Sequence, residues 1–231
     1  MATVQQFDQL NRIATEEESN RSIPIEQFFD EMELTEEQKE ERKALAYNLQ
    51  TVFYDFFTLV ASFIMAGSDV DYELLSGIAV MRYLDALKTQ GIDLDDKFYA
   101  LNDYVARIVS EIVLTTQQHD ALEPYYLSQD RATNIAENES NTIYNNVDMQ
   151  RAIDKGYKSK EWRTFRDKRV RHTHSMIDGE IIGIYDTFLV GDSEMAYPKD
   201  TTYGADAKEI VNCRCVLKYH KKSIYDDENE V

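Results

Sequence analysis

Between Thr35 and Gln118 the chain carries three apolar-periodic runs separated by little more than a glycine, and this pattern leaves few folds open. Leu45, Leu49, Phe53, Phe56 and Phe57 recur at helical spacing, which predicts one long helix from Thr35 to Ala66. Thr35-Glu36-Glu37-Gln38 fits a capping box, its acidic residues suit the positive end of a helix, and Gly67 ends the run. A second run opens on the cap-like Ser68-x-x-Asp71, repeats apolar residues at Leu74, Ile78, Met81 and Leu84, and stops at Gly91. The third, Asp93 to Gln118, places Phe98, Leu101, Val105, Ile108 and Ile112 on one face. Such short connections are expected between antiparallel neighbours in a helical bundle. Ser22 to Leu34 adds a short helix after Pro24, and the polar first 20 residues are expected to fray.

Beyond Pro124 the pattern changes. Ser128 to Asn146 reads as a polar helix with a thin stripe of Ala132, Ile135 and Ala136, the kind that lies across a surface or connects two bodies. Val147 to Lys155 reads as a further short helix with Gly156 as its C-cap. From Trp162 onward glycines punctuate short β-prone runs at Glu180–Tyr185, Thr187–Val190 and Cys213–Tyr219. The expectation is two short strands across Gly183–Asp186 joined by a closing strand in a small antiparallel sheet. The fold class is therefore α+β, an N-terminal all-α bundle followed by a small α+β module. Its expected parts are an acidic helical bundle over 1–127, a linking helix over 128–155, an α+β domain over 156–222 and an acidic tail over 223–231.

Charge supports a division. Residues 1–150 hold 10 Lys+Arg against 28 Asp+Glu, whereas residues 151–231 hold 15 of each. An acidic helical surface repels phosphate, so bulk electrostatics cannot bind it to nucleic acid. It is a solvated face or a docking surface for a basic partner. A hydrophobic share of 43% is too high for a disordered chain, and two cysteines are too few for a disulfide scaffold. No secretory leader is evident at the start. The apolar stretch Phe56–Ala66 is about half of what spans a bilayer, so no membrane partner is expected. A reducing compartment is the default for synthesis.

Chemistry concentrates in the second part. His172 and His174 are two residues apart, as are Cys213 and Cys215. On a strand that spacing puts both cysteines on one face, and two imidazoles with two thiolates would complete a tetrahedral structural zinc site. Buried structural thiols and a redox or disulfide role remain open beside it. His119 and His220 read as surface residues. Lys160 to His174 carries six basic side chains against two acidic ones, making Arg163, Arg166, Lys168 and Arg169 phosphate-binding candidates. Arg169 and Arg171 could instead pair with Asp167 and Asp178. His174, Asp178 and Cys213 supply types used in nucleophilic catalysis, and Arg169, Arg171 and His174 types used in phosphodiester cleavage. No nucleophile elbow, Walker loop or dinucleotide fingerprint accompanies them.

The order of these residues is itself a signal. Trp162-Arg163-Thr164, Asp167-Lys168-Arg169-Val170-Arg171, Thr173-His174, Ile177-Asp178-Gly179, Tyr197-Pro198-Lys199-Asp200 and Asn212-Cys213-Arg214-Cys215 succeed one another after the helix Arg131–Glu139. Residues 128–218 thereby resemble the C-terminal domain of the tailed-phage minor head proteins, the Mu F-like head morphogenesis family. Lys199 stands where the family loop often has Gly, and Asn138 where its helix often has Thr or Arg. The resemblance implies a non-enzymatic virion component inside the capsid, associated with the portal vertex and incorporated in the host cytoplasm during procapsid assembly. It implies the portal protein as partner, with scaffold, major capsid protein and non-specific DNA as further ones. Trp162, Asp167, Arg171, His174, Asp178, Gly179, Asn212, Cys213 and Cys215 would be its structural motif. The competing expectation is a nucleic-acid-processing enzyme or toxin-like effector using His174 and Arg171.

Overall fold

A computed structural model describes residues 24–92, 99–119 and 124–224. The first 20 residues, Phe98 and the acidic stretch Asp226–Glu230 lie outside the described residues. The rest is α+β and packs as two compact units. One holds residues 24–29 and Glu37–Ser140; the other holds Asp30–Glu36 and residues 141–224.

The helical unit is built from α1 (Ile25–Asp30), α2 (Glu36–Met65), α3 (Tyr72–Thr89), α4 (Tyr99–His119), a 3-10 turn at Pro124–Leu127 and the first half of α5 (Gln129–Asp154). The long helix α2 obeys the sequence pattern: Leu45, Leu49, Phe53, Phe56 and Phe57 are all buried. Each such side chain contributes about 1.5–3 kcal/mol on leaving water. Phe53 meets Tyr83 of α3 edge to face at 5.9 Å. Helix α2 ends at Gly67, where a φ of +64° suits only glycine without strain. The Gly67 N–H bonds the Ile64 carbonyl and the Ser68 N–H the Phe63 carbonyl, a Schellman closure.

Helix α3 departs from the expectation. Its cap is Asp71, whose carboxylate accepts the Leu74 N–H at 3.0 Å, and Ser68 precedes it. Its buried face is Leu75, Ala79, Tyr83, Ala86 and Leu87, while Leu74 is 59% and Met81 60% exposed. The helix is apolar on two faces, and the one with small residues lets a neighbour approach around Tyr83. In α4 the buried stripe is Leu101, Val105, Val109 and Val113, with Ile108 and Ile112 at its margin. The expected pair of helices over 128–155 is the single helix α5. It is no thin surface rod, because Ala132, Ala136, Ser140, Asn141, Ile143 and Tyr144 are fully buried.

Several buried polar groups inside this unit are partnered by one another. Glu139 accepts the hydroxyls of Tyr83 at 3.1 Å and Tyr104 at 2.8 Å. Arg131 donates to the Thr116 hydroxyl at 2.8 Å and the Tyr126 carbonyl at 2.7 Å, with its guanidinium over the Phe57 ring. Burial lowers its pKa to about 10. His119, expected at the surface, is buried against Tyr126 with ring centroids 4.3 Å apart.

The second unit contains the rest of α5, β1 (Ser159–Arg163), α6 (His172–Met176), β2 (Ile181–Gly183), β3 (Phe188–Val190), β4 (Ser193–Met195), α7 (Ala207–Ile210) and β5 (Val216–His220). One antiparallel sheet has the order β2-β1-β5, and β3-β4 is a separate hairpin. The expected pairing across Gly183–Asp186 is therefore corrected: β2 pairs with β1, a strand that sequence patterning does not mark, and β3 with β4. Gly183 and Asp186 do form a turn, but the chain leaves the sheet after it. Trp162, Phe188, Val190, Met195, Cys213, Cys215 and Leu217 form the core.

Candidate functional site

The site grows from the central strand. Trp162 of β1 pairs with Leu217 in register and is fully buried, with its ring edge-on to Phe188 at 5.2 Å and to His174 at 5.7 Å. The loop after β1 is held by side chains. Asp178 Oδ1 accepts the Thr164 N–H at 2.8 Å and Oδ2 accepts Arg166 Nε at 2.9 Å. Burial pushes the Asp178 carboxyl up, but the Thr164 and Arg166 hydrogen bonds outweigh it and hold the group below the usual carboxylate range. Gly179, at φ +86°, returns its N–H to the Trp162 carbonyl at 2.8 Å and so turns α6 back toward the sheet. Asp167 accepts the Arg169 N–H at 2.9 Å and Arg214 Nη2 at 2.7 Å.

Helix α6 presents His174 inward at 1% exposure and leaves His172 exposed. On the opposite side Asn212, in the left-handed region at φ +54°, turns the chain out of α7. Cys213 and Cys215 that follow are both buried, at 2% and 3%. Arg214 between them faces away, over the Phe165 ring. The ladder itself begins only at Val216, later than the expected Cys213. Asn145 of α5 donates to the Cys215 carbonyl at 3.1 Å and Asn141 at 3.4 Å.

These elements bring three donors together. His174 Nδ1 lies 3.3 Å from Cys215 Sγ and 3.5 Å from Cys213 Sγ, and the three donor atoms all lie within 4.8 Å of one another. His174 Nε2 lies 3.1 Å from Glu209 Oε2, itself an acceptor for the Thr173 hydroxyl at 2.8 Å. A carboxylate only accepts, so Nε2 carries the proton and Nδ1 faces the sulfurs. Burial opposes the charged forms of His174 and Cys213, but their mutual hydrogen bond and attraction, with Cys215 also bonding Cys213, raise the imidazole pKa and lower that thiol well below normal. Burial keeps the Cys215 thiol well above normal. His172 stands outside this group of donors.

The basic candidates are largely engaged within the unit. Arg163 makes a fork with Glu33 and a 2.7 Å bond to Glu161, Arg166 binds Asp178, and Arg169 binds Asp167. Arg171 donates to the Val211 carbonyl, and Lys168 is exposed. His220, expected at the surface, is half-buried and 2.8 Å from Glu161. Sequence reasoning missed Glu209, Asn141 and Asn145, and it marked Asp200 only as part of the Tyr197–Asp200 segment, with no role. Asp200 accepts the Ala196 N–H at 2.9 Å and the Thr202 N–H at 2.8 Å. In that loop Lys199 sits at φ +70°, a backbone that glycine adopts without strain.

Among the described residues no helix is long and apolar enough to cross a membrane. No curated protein and no solved structure matches the chain. A family model does, that of the phage Mu protein F-like proteins, over residues 100–218. That span is more than half of the 231 residues and takes in Trp162, His174, Glu209 and both cysteines, so the chain belongs to the phage Mu protein F-like family.

Proposed function

We propose that this chain is a minor head protein of a tailed bacteriophage, acting in head morphogenesis and carried inside the capsid. The observation that supports this reading is the family match over residues 100–218, which takes in every motif residue from Trp162 to Cys215. In this reading assembly takes place in the host cytoplasm. The protein docks at the portal vertex through its acidic helical region, with scaffold or major capsid protein as neighbours. The exposed Leu74 and Met81, two turns apart on α3, are apolar contacts suited to such docking. DNA contact is the lesser part of the proposal, since Arg163, Arg166 and Arg169 already bind carboxylates.

The buried cluster of His174, Cys213 and Cys215 then serves shape and not turnover. The competing reading, a nucleic-acid-processing enzyme or toxin-like effector, needs His174 and Arg171 to reach a phosphate. His174 is 1% exposed and bonded on both ring nitrogens, and Arg171 is tied to a backbone carbonyl. Mass spectrometry of mature virions beside empty procapsids tests the proposal. The chain is expected in portal-containing particles of both kinds, and its absence from portal-containing heads overturns the reading.

A further inference from the structure

We infer that His174, Cys213 and Cys215 bind one zinc ion, with Glu209 as the carboxylate that orients the imidazole. The sequence pattern points to both histidines; the geometry assigns one histidine and a different supporting residue. In a tetrahedral site with Zn–N near 2.0–2.1 Å and Zn–S near 2.3 Å, adjacent nitrogen and sulfur ligands stand about 3.5 Å apart. The two Nδ1–Sγ separations here are 3.3 Å and 3.5 Å, so the donors already hold ligand spacing.

The surroundings are built for the same end. A metal-bound histidine characteristically donates its second ring N–H to a carboxylate, which fixes the tautomer and the ring plane. Glu209 does this, and its own position is fixed. The Thr173 hydroxyl donates to it, and a Cβ placed on Gly191 would come within 2.9 Å of its other oxygen. Trp162 adds a buried indole N–H that has no hydrogen-bond partner among the described residues. Two thiolates and an imidazole are a soft donor set, suited to zinc over magnesium or calcium. The fourth position would take a water molecule, entering by the cleft that Phe165, Val170, Arg171 and Asn212 line beside the three donors. Because Glu209 is engaged on the far ring nitrogen, it acts as a positioning residue and not as a base toward that water.

Zinc binding at this cluster does not depend on where the protein assembles. The test uses the full chain, reduced and stripped of metal, titrated with Co2+ and then with Zn2+. One equivalent of cobalt is expected to give tetrahedral d–d bands and strong thiolate-to-cobalt absorption, both abolished by an equivalent of zinc. Cys213→Ser and Cys215→Ser are each expected to weaken the thiolate band. His172→Ala is expected to leave stoichiometry at one, and Glu209→Gln to lower zinc affinity about 10- to 100-fold. Absence of a thiolate band, together with equal alkylation of the thiols with and without zinc, overturns the proposal. If a cysteine variant does not fold, the titration of the unaltered chain decides by itself.

Discussion

The helical unit and the α+β unit solve the same problem in opposite ways. Helices of 18 to 30 residues satisfy nearly all their own backbone groups, so α2 and α3 need only apolar side chains at the right spacing. In the second unit the longest strand is five residues and α6 and α7 are five and four. Much of the backbone there lies in loops, and side chains must satisfy it. Asp167, Asp178, Asp186 and Asp200 each accept a backbone N–H, and Asn141 and Asn145 donate to the Cys215 carbonyl. Order in the first unit thus rests on interchangeable apolar area. Order in the second rests on named polar residues placed around one tryptophan.

The largest expected effect separates the units by truncating that tryptophan. Trp162→Ala should cost about 3–5 kcal/mol by leaving a cavity against Phe188 and His174. Amide hydrogen exchange should show faster opening of β1 and β5 with α2 and α3 less affected. Equal loss everywhere would mean that the two units unfold as one. Arg131→Met probes one of two buried arginines, with Arg42, among the described residues of the unit that otherwise packs mainly through apolar contacts. Losing its bonds to Thr116 and the Tyr126 carbonyl should cost about 2–3 kcal/mol in urea denaturation monitored by far-UV circular dichroism.

Lys160 sharpens the contrast from the other side. It is fully buried in the central strand, its Nζ has no hydrogen-bond partner among the described residues, and burial lowers its pKa to about 8. The unfolded chain therefore binds more protons than the folded one between about pH 8 and the ordinary lysine value of 10.5, and stability should rise with pH across that window. Lys160→Met should stabilise the protein at pH 7 by about 1–2 kcal/mol and abolish that rise in denaturant midpoints. The smallest effect is expected at His172. His172→Ala should change stability by less than about 0.5 kcal/mol, because the side chain is exposed. A larger loss would mean that both histidines, not His174 alone, hold this unit.

The same contrast explains what could be read from the sequence. Helix α2, the glycine at its end and the Gly156 stop after α5 were legible because periodicity and caps are local signals. The buried face of α3 was not, since two apolar faces compete and only packing chooses between them. Strand β4 was hidden because Ser193-Glu194-Met195 has little β propensity and is paired through the Gly191 turn. Residue type and spacing marked His174, Cys213 and Cys215 as candidate ligands, but only the fold shows that they meet. Glu209 could not be found, because its partner lies 35 residues away and nothing local marks the pair.

The sheet order β2-β1-β5 has a consequence for biogenesis. Strand β1 is flanked on one side by a segment made soon after it and on the other by Val216–His220, more than fifty positions later. During translation the nascent polypeptide can complete its helices early, yet the central strand keeps one unpaired edge until the ribosome has passed His220. At about 5–20 residues per second that interval lasts several seconds, a window in which a chaperone or an assembly partner can meet an incomplete form.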